Sequence, residues 1–352
     1  MTDHLVDPES ITHTDTDTDH STTSNHLSSD GSDPEEHTDH PAFPLGLRVS
    51  ISQLSTLVLS LGSNGTNSRV DPQRIVSLLA RCHNLKNLSL RNVITAPPFG
   101  IPSYNRVYLS RLQSLCLSDG AHETASILHH LVTPSDAKVD INMITLPDLE
   151  ALFDMFYFVG RTLRSGFISM RQSVEALSLQ PTIGGLVVKA YVDIPALQDI
   201  CDPESAASVR LSFPVRDQNR PWTNGLFLAI ATDLHISSLK LLLMGDLAVE
   251  FLADAALTSF LNCMPMMERI CLVETKLDIP VDTSHWEAVI TLGSGKQPEL
   301  ADIYHELGRT VNAEVYFRSL CRLLISCEDS GLGVCDVRVE RIRAAGEEEE
   351  AL

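Results

Sequence analysis

A short pattern, apolar-x-x-apolar-x-apolar, returns along the chain at a nearly constant distance. It occupies Leu54 to Leu59, Leu85 to Leu90, Leu112 to Leu117, Val174 to Leu179, Ala206 to Leu211, Ile236 to Leu241, Met267 to Leu272 and Val334 to Val339. The last two apolar positions stand two apart, the spacing of a strand with one face buried. First residues are separated by 31, 27, 62, 32, 30, 31 and 67 positions, and the two long steps read as doubled units. The chain is 43% apolar, so three chosen positions are all apolar by chance at roughly 8% of starts. The near-constant spacing therefore carries the reading, not the pattern itself.

Helical segments lie between the cassettes. Asp71-Pro72 opens one, with Asp as N-cap, Pro at the first helical position and Ile75, Val76 and Leu79 on one face. Ala121 to Val132, Leu146 to Leu163, Pro221 to Leu234, Asp246 to Leu261 and Ala313 to Cys327 are predicted as the others. One strand and one helix per 30 residues is a βα unit, whose strands pair in parallel. The expected fold is α/β, an irregular leucine-rich-repeat-like solenoid over residues 44–345, with parallel strands on the concave face and helices outside. It is irregular for two reasons. Gly62, Val93 and Gly120 stand where regular repeats place an Asn, and the first doubled gap offers only a half-match, Val139-Asp-Ile141, because Asp136 breaks it.

In such a unit the leucines point inward and the residues between them line the concave face. That face is expected to carry Asn87, Ser89, Arg91, Ser114, Ser118, Ser178, Gln180, Ser238, Lys240 and Arg269, with Leu242 beside them. The set is small, polar and weakly charged, which suits contact with a protein partner. Arg91, Lys240 and Arg269 are the expected anchors.

The formal net charge of −20 is concentrated at the ends. Residues 1–40 contain eight Asp, three Glu and no Lys or Arg, and Glu347 to Glu350 add four more acids. Residues 1–43, rich in Ser, Thr, Asp and His, are expected to be a disordered acidic tail, and 346–352 a short acidic one. No basic patch suggests nucleic acid as a partner. No apolar run suggests a signal peptide or a membrane span. The eight Cys show no paired C-x-x-C spacing and read as free thiols, placing the chain in cytoplasm or nucleus.

Candidate chemistry is sparse. Leu292-G-S-Gly295-Lys296-Gln297 faintly resembles a phosphate loop, but Ile290 stands where its first Gly belongs, and Gln297 replaces the hydroxyl that would reach magnesium. Ile183-Gly184-Gly185 lacks the third glycine of a dinucleotide fingerprint. His122, His129 and His130 cluster with Glu123 without the H-E-x-x-H spacing of a zinc site. Cys82 and His83 are adjacent and so point to different sides of a helix. The expectation is no enzyme, no cofactor and no metal.

Some phrases carry a family resemblance. Leu109-S-R-Leu112-Q-S-L-C-L-S-D-G, then Ile127-L-H-H-L-V-T-Pro134 and Ala137-K-V-D-Ile141, resemble the strand-then-helix unit of fungal, basidiomycete-type F-box proteins with degenerate leucine-rich repeats. Leu320 to Val339, with its S-G-L turn at Ser330, resembles the helix, turn and last strand of such chains. The resemblance covers roughly 44–345. It implies a substrate-recognition subunit of a cullin–RING ubiquitin ligase, joined through a Skp-type adaptor. The F-box itself is not visible: only Pro44-Leu45 precedes the first cassette. A free-standing repeat scaffold is the alternative.

Overall fold

The structure, a computed structural model, describes residues 51–61, 69–95, 106–134, 136–164, 173–196, 207–214, 220–275, 284–293, 305 and 313–342. The tails expected at 1–43 and 346–352, and Gly295 to Gln297, lie outside these residues.

Thirteen strands are defined: β1 (Thr56–Ser60), β2 (Asn87–Arg91), β3 (Val107–Tyr108), β4 (Ser114–Asp119), β5 (Leu131–Val132), β6 (Lys138–Met143), β7 (Ala176–Thr182), β8 (Gly185–Tyr191), β9 (Val209–Phe213), β10 (Leu241–Gly245), β11 (Arg269–Val273), β12 (His285–Leu292) and β13 (Val334–Ile342). Seven α-helices accompany them among the described residues: α1 (Pro72–Leu79), α2 (Ala121–His130), α3 (Leu149–Arg164), α4 (Arg220–Asp233), α5 (Asp246–Phe251), α6 (Asp254–Asn262) and α7 (Glu314–Asp329). The expected helices thus all form. The stretch from Asp246 is two helices, parted at Leu252-Ala253 by extended backbone.

Every cassette contributes to one 11-stranded sheet of order β1-β2-β4-β6-β9-β8-β7-β10-β11-β12-β13. One line of paired residues crosses all of it. It runs Leu57, Leu88, Leu115, Val139 and Val209, then Ala190, Leu177, Leu242, Ile270, Ile290 and Val337. Each member is apolar, and this line belongs to the main core, where helix residues such as Leu128, Phe156, Leu226, Leu261 and Leu320 meet it. Fully burying one such side chain is worth about 1.5–3 kcal/mol, so the repeated leucines are what fix the strand register.

The sheet departs from expectation in its order and its sense. β7 and β8 form a hairpin through Ile183-Gly184, and β9 returns antiparallel beside β8, so that β6 meets β9 and β7 meets β10. β12 is likewise antiparallel to both its neighbours. The purely parallel pairing expected for a run of βα units is therefore corrected to a mixed sheet. The Gly184-Gly185 pair is explained by the hairpin, since Gly185 adopts φ 148°, which only glycine takes without strain.

Candidate interaction face

Because side chains alternate along a strand, the residues between the core positions stand on the second face of the sheet. One residue beyond the core line, the paired row reads Val58, Ser89, Cys116, Asp140 and Arg210, then Lys189, Ser178, Leu243, Cys271, Val289 and Arg338. The row changes character midway. Around its β1–β6 part the face is open and, apart from Val58 and Cys116, polar, with Asn87, Arg91 and Asn142 exposed and Ser89, Ser114 and Ser118 half-buried. Its β7–β11 part is apolar and covered: Ala176, Tyr191, Leu241, Leu243 and Cys271 form a second, smaller buried cluster.

The open part is locally ordered by cross-strand bonds. Asn87 Nδ2 donates to Thr56 Oγ1 at 3.3 Å, and Asn142 Nδ2 donates to Ser118 Oγ at 3.2 Å. Side chains tied across adjacent strands lose less rotamer freedom when a partner binds. Between the two parts, Asp140, Arg210 and Lys189 stand in register on β6, β9 and β8, with Lys189 only 1% exposed. Sequence reasoning missed this charged row, because β8 reads as an unbroken apolar stretch in which a lone Lys carries no pattern.

Four expected face positions are placed differently. Ser178 is on this face but fully buried at 0% exposure, within the covered part. Ser238 lies in a 3-10 turn, Ile236–Ser238, and not in a strand. Lys240 precedes β10, one residue out of phase with the face, and pairs with Glu175 at 3.3 Å. Leu242 belongs to the main core. All of these except Ser178 share one cause. The run Leu239-K-L-L-L-Met244 fits the cassette in two registers, and pairing with Leu177 and Ile270 selects Leu242, three residues beyond the expected Leu239. Arg269 is exposed on the face at the start of β11, and Gln180 is half-buried near the end of β7.

Two buried aspartates clamp the sheet where its strands run into helices. Asp119, closing β4, accepts from Ile94 N at 3.0 Å and Gly120 N at 3.1 Å, and Arg69 lies 3.6 Å away. Asp246, following β10, accepts from Thr275 N at 2.8 Å and Leu247 N at 2.7 Å. Each carboxylate thus ties the end of one parallel strand to the chain leaving its neighbour. Burial raises the Asp246 carboxyl above its ordinary value, offset in part by the bonds from Thr275 and Leu247. The sequence signal was an Asp beside a Gly directly after a cassette, in Asp119-Gly120 and Gly245-Asp246.

Of the candidate histidines and cysteines, His129, His130 and Cys82 pack within the fold. His129 and His130 sit between α2 and α3, His129 edge-on to Phe158 with ring centroids 5.0 Å apart. Arg161 donates to the carbonyls of Leu128 and His129 at 2.9 and 2.8 Å, closing the C-terminus of α2. Burial, and the positive charge of Arg161, lower both imidazoles. His122 lies apart, 3.2 Å from Asp148. Cys82 is buried with its thiol pushed up by that burial, and the Cys327 thiol is pushed up to about 12, so neither is an activated nucleophile.

Among the described residues, no group of three or more His, Cys, Asp or Glu could hold a metal ion, and no helix is long and apolar enough to cross a membrane. No protein-family profile matches the chain, and no curated protein matches it.

Proposed function

We propose that this chain is a non-enzymatic protein-interaction module, an irregular leucine-rich-repeat-like solenoid that recognises a protein through the open part of its second face. The observation that carries the reading is the half-and-half division of that face. Across β1, β2, β4 and β6 most side chains of this face are polar and accessible, while over β7, β10 and β11 Ala176, Leu241, Leu243 and Cys271 form a buried apolar cluster. A face kept polar in the strands where it is open suits reversible binding. Asn87, Ser89, Arg91, Ser114 and Ser118 are the contact residues of this reading, with Arg91 as its anchor. The acidic balance of the chain disfavours nucleic acid, and no cofactor is invoked.

The resemblance to fungal F-box proteins supports a role as substrate receptor of a cullin–RING ligase in cytoplasm or nucleus. The phrases that carry it fall on β4–α2–β6 and on α7–β13. A free-standing scaffold is the second reading. Affinity purification of the tagged full chain, with partners identified by mass spectrometry, separates them. Stoichiometric recovery of a Skp-type adaptor and a cullin is the ligase outcome. Other stable partners without those two would overturn the ligase role and leave the scaffold.

A further inference from the structure

Among the described residues no strand pairs with the outer edge of β1, and we infer that this edge pairs with a second copy of the chain. Among the described strands, β1 pairs only with β2. Its bonds to β2 use odd-numbered residues, as Asn87 N to Ser55 O and Leu61 N to Arg91 O show. The backbone groups of Thr56, Val58 and Ser60 therefore point away from the sheet. Val58 is 62% exposed, Thr56 and Ser60 are exposed, and Leu54, Leu57, Leu59 and Leu61 at this end of the core are only half-buried.

Edge strands are ordinarily protected by charge, proline or a bulge. The opposite edge follows that rule: β13 carries Asp336, Arg338, Glu340 and Arg341, with Arg338 bonded to Asp336 at 2.9 Å. Leu54 to Leu61 contains no charged residue, proline or glycine. It is also self-complementary about Val58. Two antiparallel copies on a dyad at Val58 place Val58 opposite Val58 and Thr56 opposite Ser60, the residues whose N–H and C=O groups face outward. Leu57 then meets Leu59 of the partner on the core side, covering the half-exposed leucines of both copies. No strand of different sequence is needed to satisfy every outward group. Five residues per copy make a small interface, so the association is expected to be weak and concentration-dependent.

The test uses the full chain in sedimentation or light-scattering measurements between about 1 and 100 µM, a range that spans weak association. The mass should move from 38.6 kDa toward twice that value as concentration rises. Val58→Lys should remain monomeric with an unchanged circular dichroism spectrum. Val58→Cys checks the register. Dyad-related residues in a hydrogen-bonded antiparallel pair stand about 5.5 Å apart at Cα, within disulfide reach, so mild oxidation should cross-link Val58→Cys with itself. Thr56→Cys should cross-link only when mixed with Ser60→Cys. A wild-type chain monomeric throughout the range, a dimer that survives Val58→Lys, or cross-linking no greater than that of the wild-type cysteines would each overturn the inference.

Discussion

Replacing Asp246 by alanine should loosen the junction of β10, β11 and α5 more than any surface change. The carboxylate is 4% exposed and holds two backbone N–H groups, those of Thr275 and Leu247, at 2.8 and 2.7 Å. Leaving a buried donor without an acceptor costs about 1–3 kcal/mol. Thr275 and Leu247 are themselves half-buried, which places the pair near the lower end, about 2–3 kcal/mol together. For a chain of this size that is a fall of about 3–4 °C in Tm. Asp246→Asn keeps an acceptor oxygen in place and removes a charge that burial disfavours, so it should cost under about 1 kcal/mol. The sign of the pH effect follows from the raised carboxyl. Its favourable contribution is complete below the unfolded pKa and is lost as pH rises through the folded value. Asp246→Asn should therefore flatten the pH dependence across that window. Urea denaturation followed by the fluorescence of buried Trp222, at several pH values, reads both effects. An alanine variant within about 0.5 kcal/mol of wild type, or an asparagine variant as damaged as the alanine one, would refute the clamp.

Two further outcomes follow from local geometry. Asp148 Oδ1 accepts from Ala151 N at 2.8 Å and caps α3, so Asp148→Ala should lower stability by about 1 kcal/mol in the same denaturation assay. Because that backbone N–H, aided by His122, lowers the carboxyl, the contribution is present above the ordinary carboxylate pKa and disappears as pH falls through the folded value. Burial lowers the His129 and His130 imidazoles, so the folded chain takes up protons later than the unfolded chain as pH falls. Stability should decline from about pH 6.5 downward. A His129→Phe, His130→Leu double variant should show a shallower decline, and an unchanged slope would refute the assignment.

How much of this was legible in the sequence depends on how many faces a strand buries. β1, β2 and β4 bury one face, alternate cleanly and were read in correct register. β10 buries both, and its run of five buried residues admits two registers. Only pairing with β7 and β11, invisible in the sequence, chooses between them. β8 is buried at all seven positions and has no period to detect. β6 was half-recognised, since Val139 and Ile141 fit but Asp136 precedes the strand and needs no burial. The reversed order of β7, β8 and β9 rests on one two-residue turn, a local feature with a global consequence. The candidate face divides in the same way. Asn87, Ser89, Arg91, Ser114 and Ser118 lie where alternation put them. Ser178 is lost to a covering that strand periodicity does not describe, and Ser238 and Lys240 are lost to the register slip.

The most direct measurement of the central claim compares partners captured by the wild-type chain with those captured by an Arg91→Glu, Ser118→Arg variant, quantified by mass spectrometry. Both positions are on the accessible part of the second face and outside the main core, so the variant should keep the wild-type Tm. The account predicts that the wild-type partners fall at least about tenfold, the equivalent of 1.4 kcal/mol. Equal recovery of the same partners by both chains would contradict it.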